Sequence, residues 1–365
     1  MNIAILGTRG IPNNYGGFEQ FAQFISVGLV ERGHQVTVYA PHFHPYQPLE
    51  YQGVKIRKIF SPENIMGSMA NFYYDHECLK DALQNKFDII YEAGYATVAL
   101  SYKLLNVGAS SSLIVTNMDG IEWKRSKWNF FTKKLIHYLE KLCVAHSTHL
   151  ISDNEEIRSF YLKEYNKETV FLAYGAEVVT LFDVGYLNNY ALVADAYYVL
   201  VARLEPENNI ELILNGYLQS NSPLPFIVIG NASTKYGNLL REKYKDTTIR
   251  FIGGVYDKQI LDSLRHFSAI YFHGHSVGGT NPSLLEAMAV GCMVAAHANN
   301  FNRTVLLDTG VYFSSTEEIV HIIQTDNPRL DSYKTLAVDR IKTTYNWELI
   351  IDQYEHYFKS ILLSN

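Results

Sequence analysis

The sequence predicts an α/β protein built from two doubly wound, Rossmann-like domains in tandem. Its 365 residues exceed what one comfortable core accommodates. Short apolar runs alternate with helical patterns along most of the chain, and this alternation lapses once before it resumes. Apolar strands separated by helices are typical of parallel sheets covered by helices on both faces. A hydrophobic fraction of 47% and a charged fraction of 19% indicate globular domains rather than disorder.

The first predicted domain, residues 1–174, opens with a buried strand at residues 3–6 and continues with an amphipathic helix that Gly33 ends. The apolar residues of this helix lie on one face: Phe18, Phe21, Ala22, Ile25 and Leu29. Further strands are expected at residues 35–39, 88–91, 112–116, 149–152 and 169–173. Segments of helical periodicity separate them, as a doubly wound sheet requires.

The periodicity lapses through residues 175–195, where glycines and an Asn188-Asn189 pair occur, and we place a linker there. The second predicted domain, residues 196–345, resumes with strands at residues 197–203, 226–229, 248–252, 269–272 and 293–296. Residues 346–365 are expected to form a terminal helix that returns to the N-terminal domain. Open parallel sheets bind ligands beyond the carboxyl ends of their strands, so the expected site is the cleft between the two domains.

Composition narrows the classes of function. The formal net charge of −6 argues against a general nucleic-acid-binding surface. The cysteines, Cys78, Cys143 and Cys292, are odd in number and widely spaced, which indicates neither a disulfide framework nor a thiolate metal site. The N-terminus lacks the pattern of a signal peptide, and no apolar run approaches the roughly 20 residues of a bilayer span. We therefore expect a cytoplasmic protein without a nucleic-acid partner.

A glycine-rich loop in the second domain leads directly into an apolar helix and predicts a site for a phosphorylated ligand. Gly278 and Gly279 let the backbone approach a ligand closely, and the N–H groups of the first helical turn attract phosphate oxygens. Glu286, about one turn further in, could accept hydrogen bonds from sugar hydroxyls. The alternative is an ordinary helix start with a solvated glutamate. The predicted donor-binding residues here are His275, Gly279, Thr280, Asn281, Ser283, Leu284 and Glu286.

Two further elements point to a diphosphate. A strand delivers Arg203 at its carboxyl end, where a guanidinium can clamp a phosphate through two hydrogen bonds. The alternative for this residue is a surface ion pair with Glu205 or Glu207. The loop after the first strand ends in Gly16-Gly17 at a helix start, which suits a diphosphate or a sugar. Its spacing is not that of the dinucleotide fingerprint G-x-G-x-x-G.

Together these three elements resemble the retaining glycosyltransferases of family four, whose two facing Rossmann-like domains form the architecture called GT-B. In that family an arginine and a lysine bind the diphosphate, and two glutamates separated by seven residues bind the donor sugar and the ribose. Arg203 matches the arginine and Glu286 the second glutamate, whereas Gly278 stands at the first glutamate and Asn208 at the lysine. Similarity to a rhamnosyltransferase-like branch rests on these motifs: Gly10-Ile11-Pro12, Tyr15-Gly16-Gly17-Phe18-Glu19, Asn117-Met118-Asp119-Gly120, Glu122-Trp123-Lys124-Arg125, His273-Gly274-His275-Ser276 and Gly278-Gly279-Thr280-Asn281-Pro282-Ser283.

The resemblance implies transfer of a sugar from a dTDP or UDP donor, with L-rhamnose expected, to a glycan or lipid-linked acceptor in surface polysaccharide synthesis. It also implies retention without a covalent intermediate, in which the leaving diphosphate accepts the acceptor's proton. Arg203 and the N–H groups near Ser283 and Leu284 would stabilise the phosphate charge. No cofactor is implied. Two alternatives stay open: a nucleotide-sugar epimerase of the same fold, and an inactive subunit that binds nucleotide sugars or glycans, which Gly278 and Asn208 motivate.

Asp119 is the second catalytic candidate beside Arg203. It follows the strand at residues 112–116, so it is expected at the cleft edge of the first domain. There it could orient the acceptor hydroxyl or the donor sugar. The equally open alternative is a helix-capping aspartate before Gly120.

Two histidine pairs could suggest a metal. His42 with His44, and His273 with His275, each place two imidazoles on one face of a strand. Neither pair has an evident third ligand close in sequence, so no metal site is predicted. Ordinary packing or hydrogen bonding is favoured for the first pair, and ligand contact for the second.

Between Trp123 and Lys141, aromatic and basic residues interleave. The aromatic ones are Trp123, Trp128, Phe130 and Phe131, and the basic ones are Lys124, Arg125, Lys127, Lys133, Lys134 and Lys141. Such a face suits an anionic membrane surface, where lipid-linked acceptors reside, and predicts a peripheral protein on the inner face of the membrane. The alternative is a helix that buries its aromatic residues and solvates its lysines.

Overall fold

The computed structural model of the chain describes residues 1–14, 16–125, 128–325 and 330–364. They form two compact units. The first comprises Met1–Lys124, Trp128–Tyr174 and Trp347–Asn365, and the second comprises Gly175–Asn346 together with Arg125. Residues 175–195, which the sequence analysis assigns to a linker, group with the second unit and contain a 3-10 helix at Val184–Tyr190.

The first unit is built on one eight-stranded sheet. Its strands are β1 Asn2–Leu6, β2 Gln35–Pro41, β3 Glu50–Tyr51, β4 Val54–Ile59, β5 Ile89–Glu92, β6 Leu113–Asn117, β7 His149–Ser152 and β8 Val170–Phe171. They lie in the order β3-β4-β2-β1-β5-β6-β7-β8, and all pairs are parallel except β3 with β4. In chain order, the α-helices that connect these strands are α1 Gly17–Glu31, α2 Glu63–Met66, α3 Ala70–Gln84, α4 Ala99–Leu104, α5 Phe130–His146 and α6 Glu155–Tyr165.

The second unit has a six-stranded, wholly parallel sheet in the order β11-β10-β9-β12-β13-β14. Its strands are β9 Tyr198–Val201, β10 Phe226–Ile229, β11 Ile249–Gly253, β12 Ile270–His273, β13 Val294–His297 and β14 Val311–Phe313. Its helices are α7 Ile210–Gln219, α8 Lys235–Lys243, α9 Lys258–His266, α10 Pro282–Ala289, α11 Asn300–Leu306, α12 Thr316–Gln324 and α13 Leu330–Arg340. Aromatic rings from its strands fill its core, among them Phe226 of β10 and Phe272 of β12, whose ring centroids lie 5.5 Å apart.

The terminal helix α14, Trp347–Leu363, groups with the first unit and packs against α1. The Trp347 indole stacks on the Phe24 ring, with the ring centroids 4.6 Å apart and the two ring planes nearly parallel. A Cβ built on Gly28 of α1 would lie 2.5 Å from Ile351 Cδ1, so the two helices approach closely because residue 28 has no side chain. Within the described residues, no helix combines the length and the apolarity that crossing a membrane demands.

Candidate functional site

In the second unit, the candidate residues lie at the carboxyl ends of the central strands. Arg203 follows β9, is exposed, and forms no ion pair with any residue that the structure describes. Glu207, one of the two partners considered from sequence, pairs instead with Arg125, with 3.0 Å between Nη1 and Oε1. The Arg203 guanidinium is therefore available to a ligand, and its role in binding phosphate stays a prediction.

The loop that carries Arg203 is bonded to the glycine-rich loop after β12. Asn208 is buried, and its Nδ2 donates to the Arg203 carbonyl oxygen at 2.8 Å. Asn209 Nδ2 donates to the Gly274 carbonyl oxygen, also at 2.8 Å. A Cβ on Gly274 would lie 2.0 Å from the Asn208 carbonyl oxygen, so only glycine permits this approach. Asn208, which stands where the resemblance has a lysine, thus has a local structural role.

His273 and His275 stack on each other at the end of β12, with ring centroids 4.5 Å apart. His273 is fully buried, and neither of its ring nitrogens has a hydrogen-bond partner among the described residues. Burial, followed by the charges of Arg203 and Arg125, lowers the pKa of His275 to about 4. Burial, followed by its histidine neighbour, lowers the pKa of His273 well below its usual value. Both imidazoles are therefore neutral at pH 7.

The glycine-rich loop has a distinctive backbone at Gly278. Its φ of +122° is a conformation that residues with a side chain rarely adopt, although a Cβ there would meet no heavy atom within 4 Å. Glycine is therefore explained at this position by backbone conformation and not by lack of space. Gly279 and Thr280 follow in the same loop, and Asn281 begins the helix.

The start of α10 differs from the expectation. Asn281 is its N-cap: Oδ1 accepts from the Ser283 N–H at 3.0 Å, and the Asn281 carbonyl oxygen accepts from the Leu284 N–H at 3.1 Å. The two N–H groups proposed for phosphate binding are thus already engaged, one by the capping side chain of Asn281 and the other by its backbone carbonyl oxygen. A phosphate can reach the Ser283 N–H only if the Asn281 side chain moves away.

Glu286 is ion-paired and not a solvated glutamate. Its Oε2 accepts from Arg265 Nη2 at 2.7 Å, and its side chain is 24% exposed while that of Arg265 is 2% exposed. Nothing in the sequence pattern marks Arg265 as a site residue, because it lies in the last turn of the amphipathic helix α9, where a basic residue is ordinarily solvated.

A groove at the same edge of the sheet was also missed. It has a volume of about 480 Å³ and follows the carboxyl ends of β10 and β11. The residues that line it are Asn231, Ala232, Ser233, Asn238, Arg241, Phe251, Ile252 and Gly253. The Gly230-Asn231 turn signal after an apolar strand is the one sequence feature that could have indicated it.

In the first unit, Gly16 precedes α1 and Gly17 is its first residue. Two residues further, the Glu19 carboxylate is buried and accepts from the Arg9 N–H at 2.7 Å. The Arg9 guanidinium bonds Glu63 and, at 3.1 Å, the side-chain oxygen of Asn71. The loop that was expected to meet a diphosphate or sugar is therefore ordered by internal bonds. Tyr15 of the same motif lies outside the described residues.

Asp119 lies at the carboxyl edge of the first sheet, as its position after β6 predicts. Its Oδ1 is 3.6 Å from where a Cβ on Gly94 would stand, and the Phe18 ring is 3.5 Å from the same point. Asp119, Gly94 in the loop after β5 and Phe18 at the start of α1 are thus neighbours. Asn129, and not Asp119, caps the next α-helix, since its side chain accepts from the Thr132 N–H at 2.9 Å.

The segment between Trp123 and Lys141 divides into an inward part and an outward part. The Trp123 indole donates to Glu140 Oε1 at 3.3 Å and stacks on His137, so it faces the unit and not the solvent. Phe130 and Phe131, by contrast, are 64% and 81% exposed. Arg125 is engaged with Glu207, as described above, and Lys127 lies outside the described residues. The expected uniform basic and aromatic face is therefore restricted to α5.

The first histidine pair makes ordinary hydrogen bonds. His42 Nδ1 accepts from the Ser61 N–H, and His44 Nδ1 accepts from the Tyr46 N–H, both at 3.2 Å. Across the part of the chain that the structure describes, no group of three or more His, Cys, Asp or Glu residues is arranged to hold a metal ion.

Comparison with known families gives two separate matches. Residues 191–325 match the family model described as Glycosyl transferases group 1. Residues 1–177 match a family model described as a Domain of unknown function (DUF1972). A search of curated protein sequences gives no significant match.

Solved structures of similar fold cover nearly the whole chain. Sucrose-phosphate synthase from Thermosynechococcus elongatus has a TM-score of 0.82 at 15% identity, covering 100% of both chains. Anabaena HepE in complex with UDP has a TM-score of 0.76 at 14% identity, covering 99% of this chain and 100% of that one. The α,α-trehalose 6-phosphate synthase of Burkholderia multivorans has a TM-score of 0.75 at 10% identity, covering 100% and 97%. The chain therefore has the two-domain GT-B fold. Its residues 191–325 match group 1 glycosyl transferases, which supports sugar transfer.

Proposed function

We propose that this chain is a retaining glycosyltransferase that binds a nucleoside diphosphate sugar at the carboxyl edge of its second unit. The observation that carries the proposal is Arg203, an exposed guanidinium without an ion-pair partner among the described residues, close enough to His275 to lower its pKa. A planar guanidinium suits the two oxygens of a phosphate group. The family match of residues 191–325 supports the activity.

The donor is proposed to be dTDP-L-rhamnose, with a UDP-sugar as the alternative. The resemblance of the Gly278 to Ser283 motif supports the first, and the UDP complex of the similar fold in HepE supports the second. In the proposed reaction, the bond between the sugar's anomeric carbon and the diphosphate breaks while the acceptor oxygen bonds the same carbon on the same face. The leaving diphosphate takes the acceptor's proton, and Arg203 stabilises its charge. Asp119 orients the acceptor hydroxyl or the sugar, and Glu286 binds the ribose.

The acceptor is proposed to be a glycan or a lipid-linked glycan, which the protein meets from the cytoplasmic side of a membrane. The support is a face of the first unit formed by α4 and α5, which pack against each other. It exposes the apolar residues Leu100, Leu104, Phe130, Phe131, Leu135 and Tyr138, and the lysines Lys103, Lys134 and Lys141. Neither helix exposes an acidic residue, because Glu140, the one carboxylate in them, is buried. Apolar and cationic residues together suit an anionic lipid surface.

Product analysis with and without an acceptor tests the proposed activity against its alternatives. The purified chain is incubated with dTDP-L-rhamnose or UDP-sugars, and products are separated and their anomeric configuration read by NMR. A transferase gives a retained glycoside only when acceptor is present, an epimerase alters the donor alone, and a binding subunit turns over neither. Arg203→Lys should be severely impaired, because an ammonium cannot form the two parallel hydrogen bonds of a guanidinium. Absence of any glycoside across donors and acceptors would refute the proposal.

Co-sedimentation with anionic vesicles tests the membrane face. Each lysine near such a surface contributes about 1 kcal/mol, so replacing three should weaken binding about 100-fold. The test variant changes Lys103, Lys134 and Lys141 to Gln. The matched control removes the same charge elsewhere, at Lys245, Lys342 and Lys359, and should sediment like the unmodified protein. Equal binding of the two variants, or no binding of the unmodified protein at low salt, contradicts the membrane proposal.

A further inference from the structure

A fully buried arginine lies directly behind Glu286. Arg265 is 2% exposed, and its Nη2 donates to Glu286 Oε2 at 2.7 Å and to Ser283 Oγ at 3.3 Å. Its Nη1 donates to Asp262 Oδ1 at 3.3 Å. One guanidinium thus connects α9, which carries Asp262 and Arg265, to the outward face of α10.

The two carboxylates around this guanidinium differ in exposure. Asp262 is 4% exposed and Glu286 is 24% exposed. A buried arginine needs a carboxylate partner because an unpaired buried charge is strongly destabilising. Asp262 supplies one such partner at 3.3 Å, and its other oxygen pairs with Lys258. Glu286 supplies the second partner at 2.7 Å, and the same bond holds this more exposed carboxylate in one orientation.

The same guanidinium also fixes the first turn of α10. Ser283 Oγ, which accepts from Arg265, also shares a hydrogen bond with the Tyr271 hydroxyl at 2.7 Å. Ser283 and Glu286 are three residues apart, so they lie on one face of α10. Arg265 contacts both of them, and no other charged group that the structure describes does so.

We propose that Arg265 is a positioning residue that holds Glu286 for recognition of the ribose in a bound nucleoside diphosphate. The bond to Oε2 leaves Oε1 directed to the hydroxyls of the ligand, while Arg265 itself touches no substrate. Loss of Arg265 should leave the carboxylate present but free to rotate, so ribose recognition falls while phosphate binding is kept. This inference rests on the proposed function, because it takes Glu286 to bind the ribose.

Calorimetry with deoxy analogues of UDP and dTDP measures this role. The probes are UDP, 2′-deoxy-UDP, 3′-deoxy-UDP, dTDP, 3′-deoxy-dTDP and inorganic pyrophosphate, measured on the unmodified chain, Arg265→Gln and Arg265→Lys. Whichever parent diphosphate the unmodified chain binds, UDP or dTDP, should be preferred over at least one of its deoxy analogues by about tenfold, as expected when a charge-assisted hydrogen bond is lost. Arg265→Gln should reduce this preference below threefold and leave pyrophosphate affinity unchanged. Arg265→Lys, which keeps the charge but cannot reach both partners, should be intermediate.

A second arginine of the same unit provides the matched control. Arg340 of α13 is part-buried and donates to the Thr304 carbonyl oxygen at 3.0 Å, and it bonds neither Ser283 nor Glu286. Arg340→Gln should lower thermal stability, because the Thr304 carbonyl oxygen loses this donor, yet keep the preference for the ribose. A change in stability without a change in preference is thus what a merely structural role would produce.

The outcomes separate this inference from the proposed function. If the unmodified chain binds no nucleoside diphosphate, the proposed function fails. If it binds UDP or dTDP but a folded Arg265→Gln keeps the full preference, or no preference exists to begin with, only the role of Arg265 is overturned. If Arg265→Gln does not fold, Arg265→Lys is measured in the unmodified chain and in a chain that also carries Glu286→Gln. In the Glu286→Gln chain, Arg265→Lys should cause no further loss of preference for the ribose. A further loss as large as in the unmodified chain refutes the inference.

Discussion

Acid should destabilise the second unit through His275. Burial, and after it the charges of Arg203 and Arg125, lowers the pKa of this imidazole from 6.5 to about 4. Unfolding restores the ordinary pKa, so between these two values the unfolded chain binds the proton more tightly than the folded one. Stability is therefore unaffected by His275 above about pH 6.5, and falls as the pH drops toward 4.

The magnitude follows from the size of the pKa difference. The whole shift corresponds to about 3 kcal/mol, lost once the pH lies below about 4. Between pH 7 and pH 5, the loss from His275 alone is about 2 kcal/mol. His273 acts in the same direction, since burial also lowers its pKa. Asp75 of the first unit acts in the opposite direction, because burial raises the pKa of its carboxyl to about 6.

Urea unfolding at pH 7 and pH 5 measures this effect. All three tryptophans, Trp123, Trp128 and Trp347, lie in the first unit, so tryptophan fluorescence does not report unfolding of the second unit. Unfolding is therefore followed by far-UV circular dichroism, to which the helices of both units contribute. Comparison of the unmodified chain with His275→Gln cancels the contributions of other titrating groups. The difference in the free energy of unfolding between these two proteins should change by about 2 kcal/mol from pH 7 to pH 5. His321→Gln, an exposed site in the same unit, is the control and should show no such change. An identical pH dependence for the unmodified chain and His275→Gln would refute the reasoning.

Three glycines give further predictions. Gly274→Ala should abolish UDP binding in calorimetry with an unchanged circular dichroism spectrum, because its Cβ would lie 2.0 Å from the Asn208 carbonyl oxygen and displace the loop there; retained affinity would contradict this. Gly28→Val should destabilise the first unit by about 1–3 kcal/mol, because even a Cβ at residue 28 would lie 2.5 Å from Ile351 Cδ1. Urea unfolding followed by fluorescence measures this, and an unshifted urea midpoint would contradict the tight packing of α1 against α14. Gly278→Glu should weaken UDP binding more than Gly278→Gln, which shares its backbone strain but not its charge, and equal affinities would show that charge is irrelevant there.

The strands of both units could be predicted where they are central and apolar. β5 and β12 lie where the apolar runs indicated, because both faces of a central parallel strand are buried. The prediction missed β4, in which buried Val54 and Ile56 alternate with the exposed Lys55 and Arg57. That alternation is the signal of a half-buried strand, but its charged residues leave no continuous apolar run like those of the central strands. It also missed β14, which is only three residues long.

The site could be predicted only in part, because sequence patterns describe one element at a time. Arg203 and Glu286 stand at the end of a strand and inside a helix that periodicity reveals. The bond of Glu286 to Arg265 joins two helices, and burial of an arginine runs against the usual preference. The capping role of Asn281 did have a signal, since asparagine before a proline at the first helical position is typical of an N-cap.

The two departures from the glycosyltransferase resemblance have different structural causes but compensate in charge. A lysine at Asn208 would place an ammonium at a buried position that now holds a hydrogen bond to the Arg203 carbonyl oxygen. A glutamate at Gly278 would have to adopt a φ of +122°. One cation and one anion are thus missing relative to the family pattern, so the net charge offered to a diphosphate is the same. With the His275 imidazole neutral at pH 7, Arg203 carries that charge. A carboxylate restored at position 278 without a second cation would oppose the diphosphate, which is why Gly278→Glu and Gly278→Gln should differ.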